Sequence, residues 1–192
     1  MKQFVTYPNQ RVGIFIDVQN LYHSAKNLYH GRVNYRELIK HLVRDRQLIR
    51  GMAYVAKSEG IVESFRSENA TVPAHFGRGE RPTGSEASFF DALLKAGLEL
   101  RMKDLQVYAD GTKKGDWDVG MAVDAIRMAS FLDVVILVTG DGDFLPLVDY
   151  LKWGMGRLVE IAAFQRSASA RLQEVADLFV NIEEIPRAII RK

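Results

Sequence analysis

Cysteine is absent from this chain of 192 residues, so neither disulfides nor thiolate zinc sites are available, and thiols give no clue to redox compartment. Histidine is scarce, and His23, His30, His41 and His75 show no metal-ligand spacing. No run approaches the ~18 apolar residues a membrane span needs. Residues 1–10 are polar and lack the apolar centre of a signal peptide. A cytoplasmic location, away from any membrane, is expected by elimination. Charge of one sign is also missing: 26 basic against 24 acidic residues leave a net +2, which neither argues for nucleic acid nor excludes it. A hydrophobic fraction of 47% rules out disorder as the default, and the length suits one domain, taken as residues 1–192.

What is present is an alternation of short apolar runs with helical patterns. Val12–Ile16 is a compact apolar run that stops at Asp17 and reads as a buried strand. Asn34 with Glu37 three residues on resembles a capping box, and Leu38, Ile39, Leu42 and Val43 form the stripe of the helix it opens. Strands are expected at 52–56, 98–102, 106–108, 134–138, 157–163 and 179–182, and helices from about 85 to Gly97, over 116–131, through Leu147 and Leu151, and over 168–177. Residues 66–84 hold Pro73, Pro82, Gly77, Gly79 and Gly84 with few large apolar side chains, the mark of a mobile or functional insertion. Strands separated by helices require crossovers. The expected fold is α/β, a three-layer sandwich with a mostly parallel central sheet flanked by helices.

Ligands of such a sheet bind outside the carboxyl ends of its strands. Two of the most apolar runs end there in acid: Ile16 leads into Asp17, and Val138 leads through Thr139-Gly140 to Asp141 and Asp143. A lone acid after a strand is also what caps the next helix, and Asp17 and Asp143 each admit that reading. Capping does not explain a Gly-Asp-Gly-Asp cluster. A third acidic point holds Asp116, Asp118 and Asp124. Asp116 is placed to cap a helix, Asp118 to lean over the strand ends from its first turn, and Asp124 lies about 240° further round an ideal helix. Asp124 is therefore expected to play a secondary part, paired with a basic residue. Gathered carboxylates repel unless a hard cation lies among them, so the expected cofactor is Mg²⁺ or Mn²⁺.

Three segments carry a family resemblance: Phe15-Ile-Asp-Val-Gln-Asn-Leu-Tyr22, Lys114-Gly-Asp-Trp-Asp-Val-Gly-Met-Ala-Val-Asp124 and Val138-Thr-Gly-Asp-Gly-Asp-Phe-Leu-Pro-Leu-Val148. The chain resembles the NYN group of the PIN-like nuclease superfamily, and within it the LabA-like proteins, from about residue 11 to 183. The resemblance implies an RNA-cleaving domain whose acidic pocket binds Mg²⁺ or Mn²⁺. By position it makes Asp17, Asp118, Asp141 and Asp143 metal ligands and Asn20 the polar partner of Asp17. Thr139 stands where the family often has serine or threonine, able to bond a carboxylate or the attacking water. One departure is the extra residue in Lys-Gly-Asp-Trp-Asp, which leaves Asp116 or Asp118 for the ligand position. The spacing to Asp124 favours Asp118. The 66–84 insertion has no obvious family counterpart.

The function expected is metal-dependent hydrolysis of RNA, single-stranded for preference, with related folds suggesting a homodimer. Lys103, Lys113 and Lys114 are candidate phosphate contacts or an ordinary solvated face. Tyr22 either stacks on an unpaired base or packs beneath its helix, and Trp117 has the same two readings. The alternative is an RNA-binding or regulatory module with little turnover. A haloacid-dehalogenase-type site would want Asp-x-Asp after the first strand, and a Toprim-type site a glutamate there. Asp17-Val-Gln matches neither.

Overall fold

The computed structural model describes residues 6–57, 84–104, 106–107, 113–114 and 117–191. Its centre is a six-stranded sheet in which every pairing is parallel. The strands are β1 (Arg11–Asp17), β3 (Gln47–Lys57), β4 (Glu99–Asp104), β7 (Val134–Val138), β8 (Leu158–Ala163) and β9 (Leu178–Asn181), in the spatial order β4-β3-β1-β7-β8-β9. Two small antiparallel pairs lie outside it: β2 (Gly31–Val33) with β10 (Ile189–Arg191), and β5 (Gln106–Val107) with β6 (Lys113–Lys114). Only β5 of these was expected, since strands this short carry no alternation to read.

Helices α1 (Val18–Tyr29), α2 (Tyr35–Val43) and α3 (Gly84–Lys95) cover one face. On that face Ile14 and Ile16 meet Leu21, Leu38, Leu42, Phe89 and Leu93. The helices α4 (Asp118–Ala129), α5 (Leu145–Asp149) and α6 (Ala170–Val175) cover the other, where Phe15, Leu137 and Ile161 meet Met121, Ala125, Leu147 and Leu172. Alternation along β1 thus feeds two cores, which is why Val12 to Ile16 is apolar without a break.

Local signals act where expected in several places. The Asn34 side chain caps α2 by accepting the Glu37 N–H. Gly97 ends the α3 region at φ +86, a left-handed conformation that glycine adopts without a Cβ penalty. Pro146 sits in the first turn of α5, where its missing N–H costs nothing. Other boundaries move. Helix α4 begins at Asp118 with Trp117 as its N-cap residue, and no side-chain cap bond is made, whereas Asp116 lies outside the described residues. The turn after β7 is capped by Asp141 rather than Asp143. The insertion expected at 66–84 also lies outside the described residues except for Gly84, the first residue of α3. Among the described residues, no helix is long and apolar enough to cross a membrane.

Candidate active site

From β1 the chain passes to β3 and then β4, moving steadily to one side, and returns through α4 to β7 on the other side of β1. The connections diverge at that point, outside the carboxyl ends of β1 and β7, which is where open parallel sheets bind their ligands. The acids sit around this point.

Asp17 is the last residue of β1 and the N-cap of α1, its Oδ1 accepting the Asn20 N–H at 3.0 Å. Asn20 in turn uses its own Oδ1 to accept the Gly140 N–H, also at 3.0 Å. One side chain thus bolts the end of β1 to the turn after β7. Thr139 is wholly buried, and its Oγ1 accepts the Asp141 N–H at 3.2 Å, so its hydroxyl shapes the turn. Asp141 accepts the Asp143 N–H at 3.0 Å and closes the short 3₁₀ turn Gly142–Phe144.

Asp118, Asp141 and Asp143 each offer a carboxylate oxygen, and these three oxygens lie within 4.8 Å of one another. Asp118 and Asp141 are half-buried and Asp143 is exposed. Asp17 stands outside that tight group but feels its charge. Its pKa is pushed up to about 6, first by burial and then by the carboxylates of Asp118 and Asp141, while the N–H groups of Asn20 and Gln19 oppose the shift. Beneath it, the buried phenol of Tyr35 is raised well above its ordinary range by burial and by the Asp17 charge.

This donor set fits a hard divalent cation. It offers oxygens from three half-buried or exposed carboxylates, and among the described residues no nitrogen or sulfur ligand joins them to draw zinc. Such a cation would also offset the smaller part of the Asp17 shift, which comes from Asp118 and Asp141.

Asp124 points elsewhere. It accepts from the Tyr54 hydroxyl at 3.1 Å and pairs with Arg101 at 3.5 Å and Arg127 at 3.9 Å. Trp117 donates its Nε1–H to the Val55 carbonyl at 3.1 Å and packs on the Tyr54 ring. It therefore fastens the start of α4, and with it Asp118, to the carboxyl end of β3. Tyr22 is only 6% exposed and packs within the α1 core, edge-on to His23, which leaves little ring surface for a base. Lys103 is exposed on β4, and the side chains of Lys113 and Lys114 lie outside the described residues.

Three contributions go beyond the residues expected from sequence. Tyr35 and the anchoring bond of Trp117 depend on contacts between elements, which no local pattern announces. The turn after β8, residues 164–169, had a usable signal: in an open parallel sheet, the segment following a strand next to the switch point borders the site.

Comparison with known proteins adds the following. The family model described as NYN domain matches residues 11–183. The low amplitude and bright protein LabA of Synechococcus elongatus is 23% identical over 133 residues, covering 66% of this chain and 70% of its own. A crystal structure of a protein of unknown function from Vibrio parahaemolyticus superimposes with a TM-score of 0.77 at 27% identity, over 97% of this chain and all of the other.

Proposed function

This chain belongs to the NYN domain family, a branch of the PIN-like nucleases, and from that premise we propose that it is a Mg²⁺- or Mn²⁺-dependent ribonuclease acting on single-stranded RNA in the cytoplasm. The observation that carries the reading is the meeting of Asp118, Asp141 and Asp143 at the switch point of the sheet. Family membership alone makes a nuclease the general expectation. The acidic group supports an intact site, because a scaffold gains nothing from carboxylates held where they repel.

Asp17, Asp118 and Asp141 hold the cation in this reading, with Asp143 bound directly or through water. A cation so held supplies Lewis acidity towards the phosphodiester and charge to offset the leaving oxygen. Asn20 positions: it fixes Asp17 against Gly140, so the distance between the two acidic points is set by one side chain. Thr139 holds the Asp141 backbone, and Trp117 holds the start of α4. Lys103 is exposed on β4, where its charge would meet the phosphates of an incoming strand, and Lys113 and Lys114 are proposed as further phosphate contacts. In this reading residues 1–192 form one catalytic domain.

Cleavage of an end-labelled single-stranded RNA with Mg²⁺ or Mn²⁺ tests this, in the wild type and in Asp17→Asn and Asp141→Asn. The expected result is chelator-sensitive cleavage that falls to background in both variants while their far-UV spectra stay unchanged. Cleavage that persisted in folded variants would remove the strand-end site from the mechanism. RNA binding without cleavage by the wild type would make the protein a binding or regulatory module instead.

A further inference from the structure

Past β8 the chain turns sharply through Gln165-Arg166-Ser167-Ala168-Ser169, a segment that contributes no carboxylate to the acidic group. It lies directly against the turn that carries the acids. The Ser169 N–H donates to the Gly140 carbonyl at 2.9 Å. A methyl group added at Gly140 would stand 3.0 Å from the Ala168 Cα, and one at Gly142 would stand 3.2 Å from the Ser169 Oγ. On its other side the segment reaches α1, where the Ser167 hydroxyl donates to the Ser24 Oγ at 3.0 Å. Ser24 follows Asn20 by one helical turn and so shares the face that looks onto the site.

Two features of this turn point to a ligand. The Arg166 guanidinium lies 5.2 Å from the centre of the Tyr29 ring, donates from Nη2 to the Tyr29 hydroxyl at 2.8 Å and places Nε 3.5 Å from Glu183. Ring, hydroxyl and carboxylate fix its plane, yet the side chain is 60% exposed. Arginine carries five N–H donors in a rigid fork, and three of these make no hydrogen bond with any described residue. A held fork of that kind matches two oxygens of a phosphate. The second feature is Ser169. It occupies the N-cap position of α6 but makes no cap bond, and its hydroxyl makes no hydrogen bond with any described residue. That hydroxyl stands over Gly142, between Asp141 and Asp143.

We propose that the turn after β8 is a phosphate subsite for single-stranded RNA, with Arg166 and Ser169 holding the phosphodiester beside the one that is cleaved. The subsite rests on the ribonuclease reading given above and deepens it. It supplies a direction: the strand enters over β8, crosses the acids at β7 and β1, and leaves towards β4, where Lys103 is exposed. Four strand spacings separate β8 from β4, about 19 Å at ~4.8 Å each, room for several nucleotides. A fixed cation on the β8 side offsets the repulsion between a polyanion and the acidic cluster. Arg166 is a positioning residue here, because the reacting phosphate lies beyond it.

The test is equilibrium binding of a fluorescent single-stranded oligoribonucleotide, with Mg²⁺ present, to the full chain carrying Asp141→Asn to halt turnover, at a series of KCl concentrations. Arg166→Ala is expected to weaken binding about tenfold and to reduce the salt dependence by about one unit of slope. Arg166→Lys should keep the slope while losing part of the affinity, since a point charge replaces the fork. Ser169→Ala should weaken binding a few-fold and leave the melting temperature unchanged, which loss of a working cap would not. Arg50→Ala, paired with Glu99 on a distant part of β3, should do neither. Arg166→Ala binding with unaltered affinity and slope overturns the subsite, and so does absence of binding by the parent chain. If Arg166→Ala in the active protein binds and cleaves RNA as well as the wild type, the subsite falls and the nuclease reading stands. If the wild type cleaves nothing but binding is lost with Arg166, the reverse holds.

Discussion

Asp17 both caps α1 and faces the acids of α4 and of the turn after β7, and these roles pull its protonation in opposite directions. The cap bond favours the carboxylate; burial and the neighbouring charges favour the acid, and they win, raising its pKa from 3.8 to about 6. A carboxyl whose pKa is raised on folding keeps a proton that the unfolded chain has already lost. Between about pH 4 and 6 the metal-free protein therefore loses stability as pH rises, and the loss is complete above pH 6. At about 1.4 kcal/mol per unit, Asp17→Asn should stabilise the metal-free chain by on the order of 2–3 kcal/mol at pH 7.5, because asparagine keeps the cap. The gain should vanish below pH 4. Urea unfolding of both proteins in chelator at the two pH values checks this, and equal midpoints at pH 7.5 would refute it. The same substitution is expected to abolish cleavage, so stability and activity are opposed at this residue. The position of Asp17 was legible, since an apolar run ending in acid is a local pattern. The choice between cap and ligand was not, because the structure gives Asp17 the cap and a place beside the site together.

Helix α4 shows where legibility ends at the scale of an element. Its buried stripe, Met121, Ala125 and Ala129, follows from spacing. Its start does not. Sequence favours Asp116 as the cap, but the N-cap residue is Trp117, and what holds this end is the indole N–H on the Val55 carbonyl, a contact across 62 residues. By contrast, Asn34 caps α2 through a residue three positions away, and that cap was readable. The Trp117 ring lies so close to Gly120 that an added methyl would stand 2.5 Å from it. Gly120→Ala must therefore displace the ring and loosen the anchor that sets Asp118. Alanine also favours the helix by about 1 kcal/mol, which offsets part of the lost packing. The expected outcome is a small change in melting temperature with a larger drop in cleavage, of about tenfold or more. Tryptophan emission should shift to the red, and because Trp153 is already 80% exposed the shift reports on Trp117. Unchanged emission and unchanged cleavage would show that the anchor does not position the acid.

For the molecule as a whole, the layered α/β class was readable from alternating strand and helix patterns, while the strand order was not. Order depends on which strands neighbour one another across a crossover, and the switch between β1 and β7 that creates the site is a product of that order. Arg46 makes the same point. In the sequence it sits in a basic stretch with Arg36, Lys40, Arg44 and Arg50, yet it is buried and forms a bidentate pair with Glu160 of β8, 114 residues away. Its Nε and Nη2 also donate to the Val43 and Leu42 carbonyls at the end of α2. One guanidinium thus ties the α2–β3 connection to β8, on the far side of β1 and β7. Isolating either charge in the interior is costly, so Arg46→Met and Glu160→Leu should each destabilise the protein by about 3–5 kcal/mol. Replacing both removes the isolated charge, and the double variant should recover much of that loss. Recovery should stop short of the wild type, because the Leu42 and Val43 carbonyls lose their donor whenever Arg46 is replaced. Urea unfolding of the four proteins gives the coupling energy directly. Additive losses would mean that the pair does not act as a unit, and that the two halves of the sheet are joined by strand pairing and apolar packing alone.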